Sequence, residues 1–269
     1  MADKSSEFTG EIPRNYDECL GPVIFEYYAG DMARRVAETG PETVLELAAG
    51  TGIVTRKLRD ALGPQAVLVA TDLNEPMLEV AKTKFDNAEA IRFRQADAQN
   101  LAFETDAFDV LACQFGHMFF PDRVAAHGEA KRVVRSGGRY VFSTWGHMEQ
   151  NPFSRIAHDT MAELFEGDPP GFYEVPFSLH DPAQVTAELA QAGLNDVTHT
   201  EIAHEPTVTD FGHFAHGLVF GNPAIEDVRA CSGDPSAVRK EIAGRLRAAF
   251  GQEPNTMALT AHVFEVTIP

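Results

Sequence analysis

The segment Thr43-Val44-Leu45-Glu46-Leu47-Ala48-Ala49-Gly50-Thr51-Gly52 constrains this chain more than any other. An apolar run enters a glycine turn, and a helix-like stretch, Ile53 to Leu62, leaves it. Strand, tight turn and helix in that order form the entry of a βα unit. Glycine has no Cβ and tolerates positive φ, so a ligand can press against backbone at Gly50 and Gly52. The helix amides beyond are unsatisfied donors at the positive end of a dipole. Twenty residues after Gly52, Asp72 closes the next apolar run, Ala66 to Ala70. A carboxylate at that spacing and strand end accepts hydrogen bonds from ribose hydroxyls. The pattern predicts a site for a nucleoside-containing cofactor.

Which cofactor follows from what the turn lacks. A nicotinamide fingerprint reads G-x-G-x-x-G, and Gly50-Thr51-Gly52-Ile53-Val54-Thr55 ends in threonine. A P-loop needs Gly-Lys-Ser/Thr, which is absent. No lysine or arginine stands inside the turn, and Glu46 before it would repel a pyrophosphate. A cofactor with a ribose and no phosphate fits better.

The pattern resembles the class I S-adenosylmethionine-dependent methyltransferases, whose first motif reads acidic-x-Gly-x-Gly-x-Gly. Glu46, Gly50 and Gly52 match it, while Ala48 replaces the first glycine. Three further landmarks follow in order: Gln95-Ala96-Asp97-Ala98 after the run Ala90 to Phe93, then Phe108 to Gly116, then Arg132 to Phe142 around Gly137-Gly138. Over residues 43–145 the likeness is nearest to small-molecule methyltransferases of the ubiquinone-biosynthesis type. It implies S-adenosylmethionine as cofactor and S-adenosylhomocysteine as product. It also implies cofactor contacts at Glu46, Ala48, Gly50, Gly52, Asp72, Leu73, Met77 and Gln114, with Asp97 and Ala98 holding the adenine. Tyr16, and to a lesser degree Tyr28, would meet the cofactor's amino-acid end from an N-terminal lid.

The expected fold is α/β: a doubly wound, mostly parallel seven-stranded sheet, Rossmann-like, with an antiparallel last strand and helical lid and cap insertions. Residues 1–40 would form the lid, 41–145 the cofactor-binding core, and 146–269 the rest of the sheet. Cap insertions are expected at about 146–180 and 210–255. Residues 1–12 read as pliable. Asn15 to Glu38 reads as helical, in one piece or in two broken around Gly21-Pro22, with a stripe at Val23, Phe25, Tyr28, Met32 and Val36. Gly40-Pro41 stops it. Asn151 to Phe165 reads as a helix, Glu166 to Pro176 as a loop, and Asp181-Pro182 as a helix start. Val197 to Val208 and Met257 to Ile268 read as the last two strands, with helices between, clearest at Ser236 to Phe250.

Charge narrows the partners. With 22 basic against 40 acidic residues the net charge is −18, and a nucleic-acid binder would need a basic face. Neither nucleic acid nor an anionic membrane is an expected partner, and no apolar stretch approaches the length of a span. Cys19, Cys113 and Cys231 lack C-x-x-C spacing and suit a reducing compartment. Met1 to Glu7 has no apolar core of a signal peptide. A cytoplasmic protein, monomer or homodimer, with a small-molecule substrate is the expectation.

Methyl transfer from a sulfonium asks the protein to align nucleophile, carbon and sulfur and to exclude water. A base is needed only where the nucleophile must lose a proton. His117, just beyond the fourth strand, is the candidate base, its ordinary pKa near 6.5 suiting a phenol or carboxylic acid. It favours oxygen as the methylated atom, with carbon and nitrogen open. Phe115, Trp145, His147 and His213 are candidate substrate-lining residues. His204, His213 and His216 lack the partners of a recognised ligand set, so no metal is expected. The favoured activity is methyl transfer to a small, partly apolar metabolite. Two alternatives are a catalytically silent protein that binds the same cofactor, and a nicotinamide-dependent oxidoreductase.

Overall fold

In the computed structural model, residues 6–86, 88–165, 171–231 and 233–269 are described. The apolar runs of the first half become β1 (Thr43–Glu46), β2 (Val67–Asp72), β3 (Ile91–Gln95), β4 (Phe108–Gln114) and β5 (Val134–Trp145). β6 (Val197–His204) and β7 (Leu259–Thr267) complete a seven-stranded sheet of order β3-β2-β1-β4-β5-β7-β6. β7 runs antiparallel between β5 and β6, and the remaining neighbours pair parallel. The expected doubly wound sheet with an antiparallel last strand is what the chain forms. Strand order reverses between β1 and β4, which opens a crevice at their C-terminal ends.

Two local departures have plain causes. Gly137-Gly138, a pair suited to a turn, instead lies within β5 as a bulge. Phe108 faces Val134 while Val110 faces Arg139, so five steps on β5 answer two on β4. A Cβ on Gly138 would meet the Asp109 carbonyl oxygen at 2.6 Å, so no side chain fits there. β7 is buried on both faces from Leu259 to Phe264, because helices cover both sides of the sheet.

The helices α1 (Glu26–Ala37), α2 (Ile53–Ala61), α3 (Glu75–Lys82) and α4 (Arg123–Val133) flank the core. Tyr28, Met32 and Val36 of α1 are buried as expected, whereas Val23 is half-buried and its neighbour Ile24 takes the inward place. Gly21-Pro22 does not break the helical run. Tyr16–Phe25 is wound as a π-helix and passes directly into α1, with the Glu26 N–H bonded to the Gly21 carbonyl. The wider turn accommodates the Pro22 ring, which an α-helix would press onto a carbonyl.

After β5 come α5 (Pro152–Leu164), α6 (Pro182–Gln191), α7 (Phe211–Phe220), α8 (Ala224–Ala230) and α9 (Pro235–Phe250). Asp181, Asp210 and Asp234 cap α6, α7 and α9 through their carboxylates, with proline in the first turn of α6 and α9. α7 lies on the π-wound segment at close range. A Cβ on Gly217 would meet Cys19 Cβ at 2.7 Å, and one on Gly221 would meet the Tyr16 nitrogen at 3.0 Å. Asn15 Nδ2 also donates to the Phe220 carbonyl at 3.3 Å.

Residues 6–12 are not the pliable leader the sequence suggested. Phe8 is buried between the rings of Tyr16 and Phe119, and its N–H donates to Asn74 Oδ1 at 3.3 Å. Asn74 Nδ2 returns a bond to the Ser6 carbonyl at 2.9 Å. Residues 1–5, and 166–170 of the expected loop, lie outside the described residues. No helix among the described residues is long and apolar enough to cross a membrane.

Candidate functional site

A cavity of about 330 Å³ sits over the C-terminal ends of β1, β2, β4 and β5, where the strand order reverses. Its walls come from the turn after β1, the ends of β2 and β4, the π-wound segment, and the helices after β5.

The turn after β1 is built on left-handed backbone. Ala48, Gly50 and Gly52 have φ of 51°, 56° and 80°. Ala48, which stands where the resembling motif has glycine, keeps this conformation with a methyl group that costs about 1–3 kcal/mol there. Room for the methyl comes from Gly116, whose own Cβ would lie 2.6 Å from that of Ala48. Gly50 lines the cavity and donates its N–H to Asp72 Oδ2 at 2.9 Å. Gly52 does not line the cavity; a Cβ there would meet Ala81 Cβ at 2.9 Å, so its bareness lets the turn pack on α3.

Asp72 lines the cavity with only 7% of its surface exposed. Oδ1 accepts the Asn74 N–H at 2.8 Å, and burial raises its pKa while the amides of Asn74 and Gly50 oppose the rise. Oδ1 also accepts Asn74 Nδ2 at 3.4 Å, while Oδ2 keeps a second lone pair for a ribose hydroxyl. Leu73 and Met77 continue the wall, the former 52% exposed at the rim. Asp97 and Ala98 close this end. Asp97 is exposed, and its Oδ1 accepts from the Gln99 N–H at 2.9 Å.

Glu46, expected at the ligand, lies behind the wall instead. It is 1% exposed, its Oε2 has no hydrogen-bond partner, and burial pushes its pKa up to about 8 against the opposing pull of Thr55. Tyr16 lines the cavity from above, stacked on Phe25 at 4.7 Å. Burial, with Asp72 and Asp17 nearby, holds its phenol protonated. Tyr28 is buried among Phe115, Trp145 and His204 and is not on the lining. Gln114, ending β4, lines the cavity, as do Phe115 and Trp145, stacked at 3.9 Å with an interplanar angle of 3°.

The histidines fare differently. His117 is fully buried beneath the wall, Nε2 against the Tyr140 hydroxyl, with His127 Nδ1 on the same hydroxyl at 3.0 Å. Burial lowers its pKa well below 6.5. Phe115, at φ 52°, turns the chain so that Phe115 and Gly116 face the cavity and His117 does not. The candidate base is therefore sealed from the chamber. His147 is exposed outside it, accepting the Glu149 N–H at 3.2 Å, and His213 is exposed on α7 against the Glu18 carbonyl at 3.2 Å. Neither lines the cavity. Among the described residues, no group of three His, Cys, Asp or Glu could hold a metal ion.

Sequence reasoning missed Phe8, Asn74, Tyr173 and Asn222. Tyr173 donates to the Leu218 carbonyl at 2.6 Å, and Asn222 to the same carbonyl at 3.0 Å. These residues reach the cavity from elements far apart in the chain. Only the aromatic content of the caps hinted at the walls.

Residues 45–142 match the family model described as a methyltransferase domain. A demethylmenaquinone methyltransferase of Lactococcus lactis subsp. lactis is 31% identical over 150 residues, covering 54% of this chain and 60% of that protein. The chain thus spans less than two thirds of that relative. The YcgJ protein of Bacillus subtilis superposes with a TM-score of 0.59 at 18% identity, over 90% of this chain and 99% of the other. A phosphoethanolamine N-methyltransferase of Haemonchus contortus, solved in complex with S-adenosyl-L-methionine, gives 0.60 at 14% identity, over 99% and 59%. The resemblance drawn from Glu46, Gly50, Gly52 and the later landmarks holds: the core is similar to methyltransferase domains, and the fold is theirs.

Proposed function

We propose that this chain, with its core matched by a methyltransferase domain, transfers a methyl group from S-adenosylmethionine to a small, partly apolar metabolite. The observation that carries the reading is Asp72 beside the Gly50 turn in a cavity that, among the described residues, no lysine or arginine lines. That suits a ribose without phosphates. Asp72 would bind the ribose, Asp97 and Ala98 the adenine, and Leu73 and Met77 would pack on either part. Ala48 and Gly50 would offer backbone to the amino-acid end, with Tyr16 closing over it and Gln114 between the two compartments.

Bound there, S-adenosylmethionine supplies an electrophilic methyl group on a sulfonium. The chain's residues then hold the acceptor in line and exclude water, and the rings of Tyr16, Phe25 and Trp145 favour the sulfonium charge. The preference for oxygen rested on His117; with that imidazole sealed away, its support falls. The division into lid (1–40), core (41–145) and capped remainder is kept as part of the proposal, as is a small-molecule acceptor with no nucleic-acid or membrane partner. Cys19 and Cys113 are buried thiols, which suits a cytoplasmic setting.

Titration calorimetry with S-adenosylhomocysteine, NAD and NADP tests the reading. Binding of the first alone supports it, and binding of a nicotinamide cofactor overturns it. A silent cofactor binder would take S-adenosylhomocysteine yet transfer no labelled methyl group to any acceptor.

A further inference from the structure

The two ends of the cavity differ in polar content, and the difference bears on the acceptor; the inference rests on the methyl-transfer reading above. Asp72 and Asp97 stand at the end formed by β2 and β3. The opposite end is walled by Phe115, Trp145, Phe153 and Phe177. Among the described residues no lysine, arginine or histidine lines any part of it. Tyr173 already donates to the Leu218 carbonyl, and burial holds its phenol protonated. Among the described residues, nothing at this end takes a proton from an oxygen nucleophile.

One group between the two ends is unfilled. Gln114 Nε2 donates to the Phe25 carbonyl at 3.4 Å, and Oε1 is buried without a partner. The reverse amide orientation would set two carbonyl oxygens against each other, so the network fixes this one. A buried acceptor left unmade is costly, which marks Oε1 as the receiver of an N–H or O–H from a bound molecule. A carbonyl holds such a proton and does not remove it. An alcohol or phenol must lose its proton to yield a neutral ether, whereas an amine attacks through its lone pair and keeps its N–H. An aliphatic amine, charged at neutral pH like lysine, has no lone pair to offer.

We propose that the acceptor atom is the nitrogen of a neutral aromatic amine, its N–H received by Gln114 Oε1 and its ring packed among Phe115, Trp145, Phe153 and Phe177. The nitrogen lone pair forms the new C–N bond, and the electron pair of the breaking C–S bond stays on sulfur. Positive charge passes from sulfur to nitrogen within aromatic walls that favour it at both places. The resulting arylammonium is acidic and gives its surplus proton to water on release, so no enzyme base is required.

Three molecules of one shape test this: 5-aminoindane, 5-hydroxyindane and 5-methylindane. With protein saturated in S-adenosylhomocysteine, calorimetry should show the amine binding about tenfold tighter than the methyl compound, the worth of one good hydrogen bond. With labelled S-adenosylmethionine, methylation of the amine should be flat between about pH 6 and 9, while the phenol should react only as pH nears its own pKa of about 10. Gln114→Leu should raise KM for the amine about tenfold with cofactor affinity kept and with binding of the methyl compound unchanged. Equal binding of amine and methyl compound, or faster methylation of the phenol at pH 7, overturns the proposal. So does a Gln114→Leu variant that loses S-adenosylhomocysteine instead. Failure of the folded protein to bind S-adenosylhomocysteine at all sinks the methyl-transfer reading itself, whereas binding without amine preference sinks only this one.

Discussion

Asp72 Oδ2 accepts the backbone N–H of Gly50 at 2.9 Å, so the carboxylate that faces the cavity also braces the turn that shapes it. Removing it should harm the ligand twice, through a lost acceptor and a loosened turn. Asp72→Ala is expected to weaken S-adenosylhomocysteine binding by roughly 1.5–3 kcal/mol. Calorimetry checks this, and unchanged affinity contradicts the ribose assignment.

Ala48 and Gly116 share one space. Gly116→Ala would bring a methyl group to 2.6 Å from Ala48 Cβ and 2.7 Å from Cys113 Sγ, which should destabilise the fold by about 1–3 kcal/mol. Adding Ala48→Gly removes the first clash and relieves the left-handed backbone, so the double variant should regain part of the loss. Urea melts of the four proteins measure the coupling, and strictly additive effects would disprove the shared space.

Glu46 makes stability fall with rising pH. The unfolded chain releases its proton near pH 4.5, while the folded chain holds it to about pH 8. Folding therefore takes up a proton across that window, and the penalty is complete above it. Glu46→Gln should remove this slope, gaining on the native protein by a few kcal/mol at pH 9, at about 1.4 kcal/mol per unit of pKa. Denaturant midpoints at pH 5, 7 and 9 decide it; parallel curves would mean Glu46 is ionised in the fold.

His117 should prove structural. His117→Ala removes a fully buried ring and one partner of the Tyr140 hydroxyl, for an expected loss of roughly 2–4 kcal/mol at neutral pH. Because its folded pKa is depressed, the stability it supplies is present above pH 6.5 and fades as the solution turns acid. The pH dependence of methyl transfer should keep its shape in the variant. Loss of the acid-side limb, the rise of rate with pH that a general base imposes, would return His117 to the chemistry.

The core of the sheet was legible because β1, β2 and β4 are local apolar runs ending at or just before Glu46, Asp72 and Gly116, and the turn residues Gly50, Asp72 and Asp97 reach the cavity because strand ends carry them there. Side-chain direction just past a strand was not legible. One left-handed residue, Phe115, sends His117 under the wall, and nothing in the sequence marks that φ. Glu46 and Gly52 sit in the right turn and point or pack away from the cavity. Phe8, Asn74, Tyr173 and Asn222 converge only through tertiary packing, which no spacing records. The π winding over Gly21-Pro22 was hidden for a related reason: the usual breaker pair is absorbed when the turn widens.

The close seat of α7 on the π-wound segment, at Gly217, Gly221 and the Asn15 bond to Phe220, ties the two roofs of the cavity together. Lifting the cover over the Gly50 turn would have to break that packing or carry the cover over the aromatic end with it.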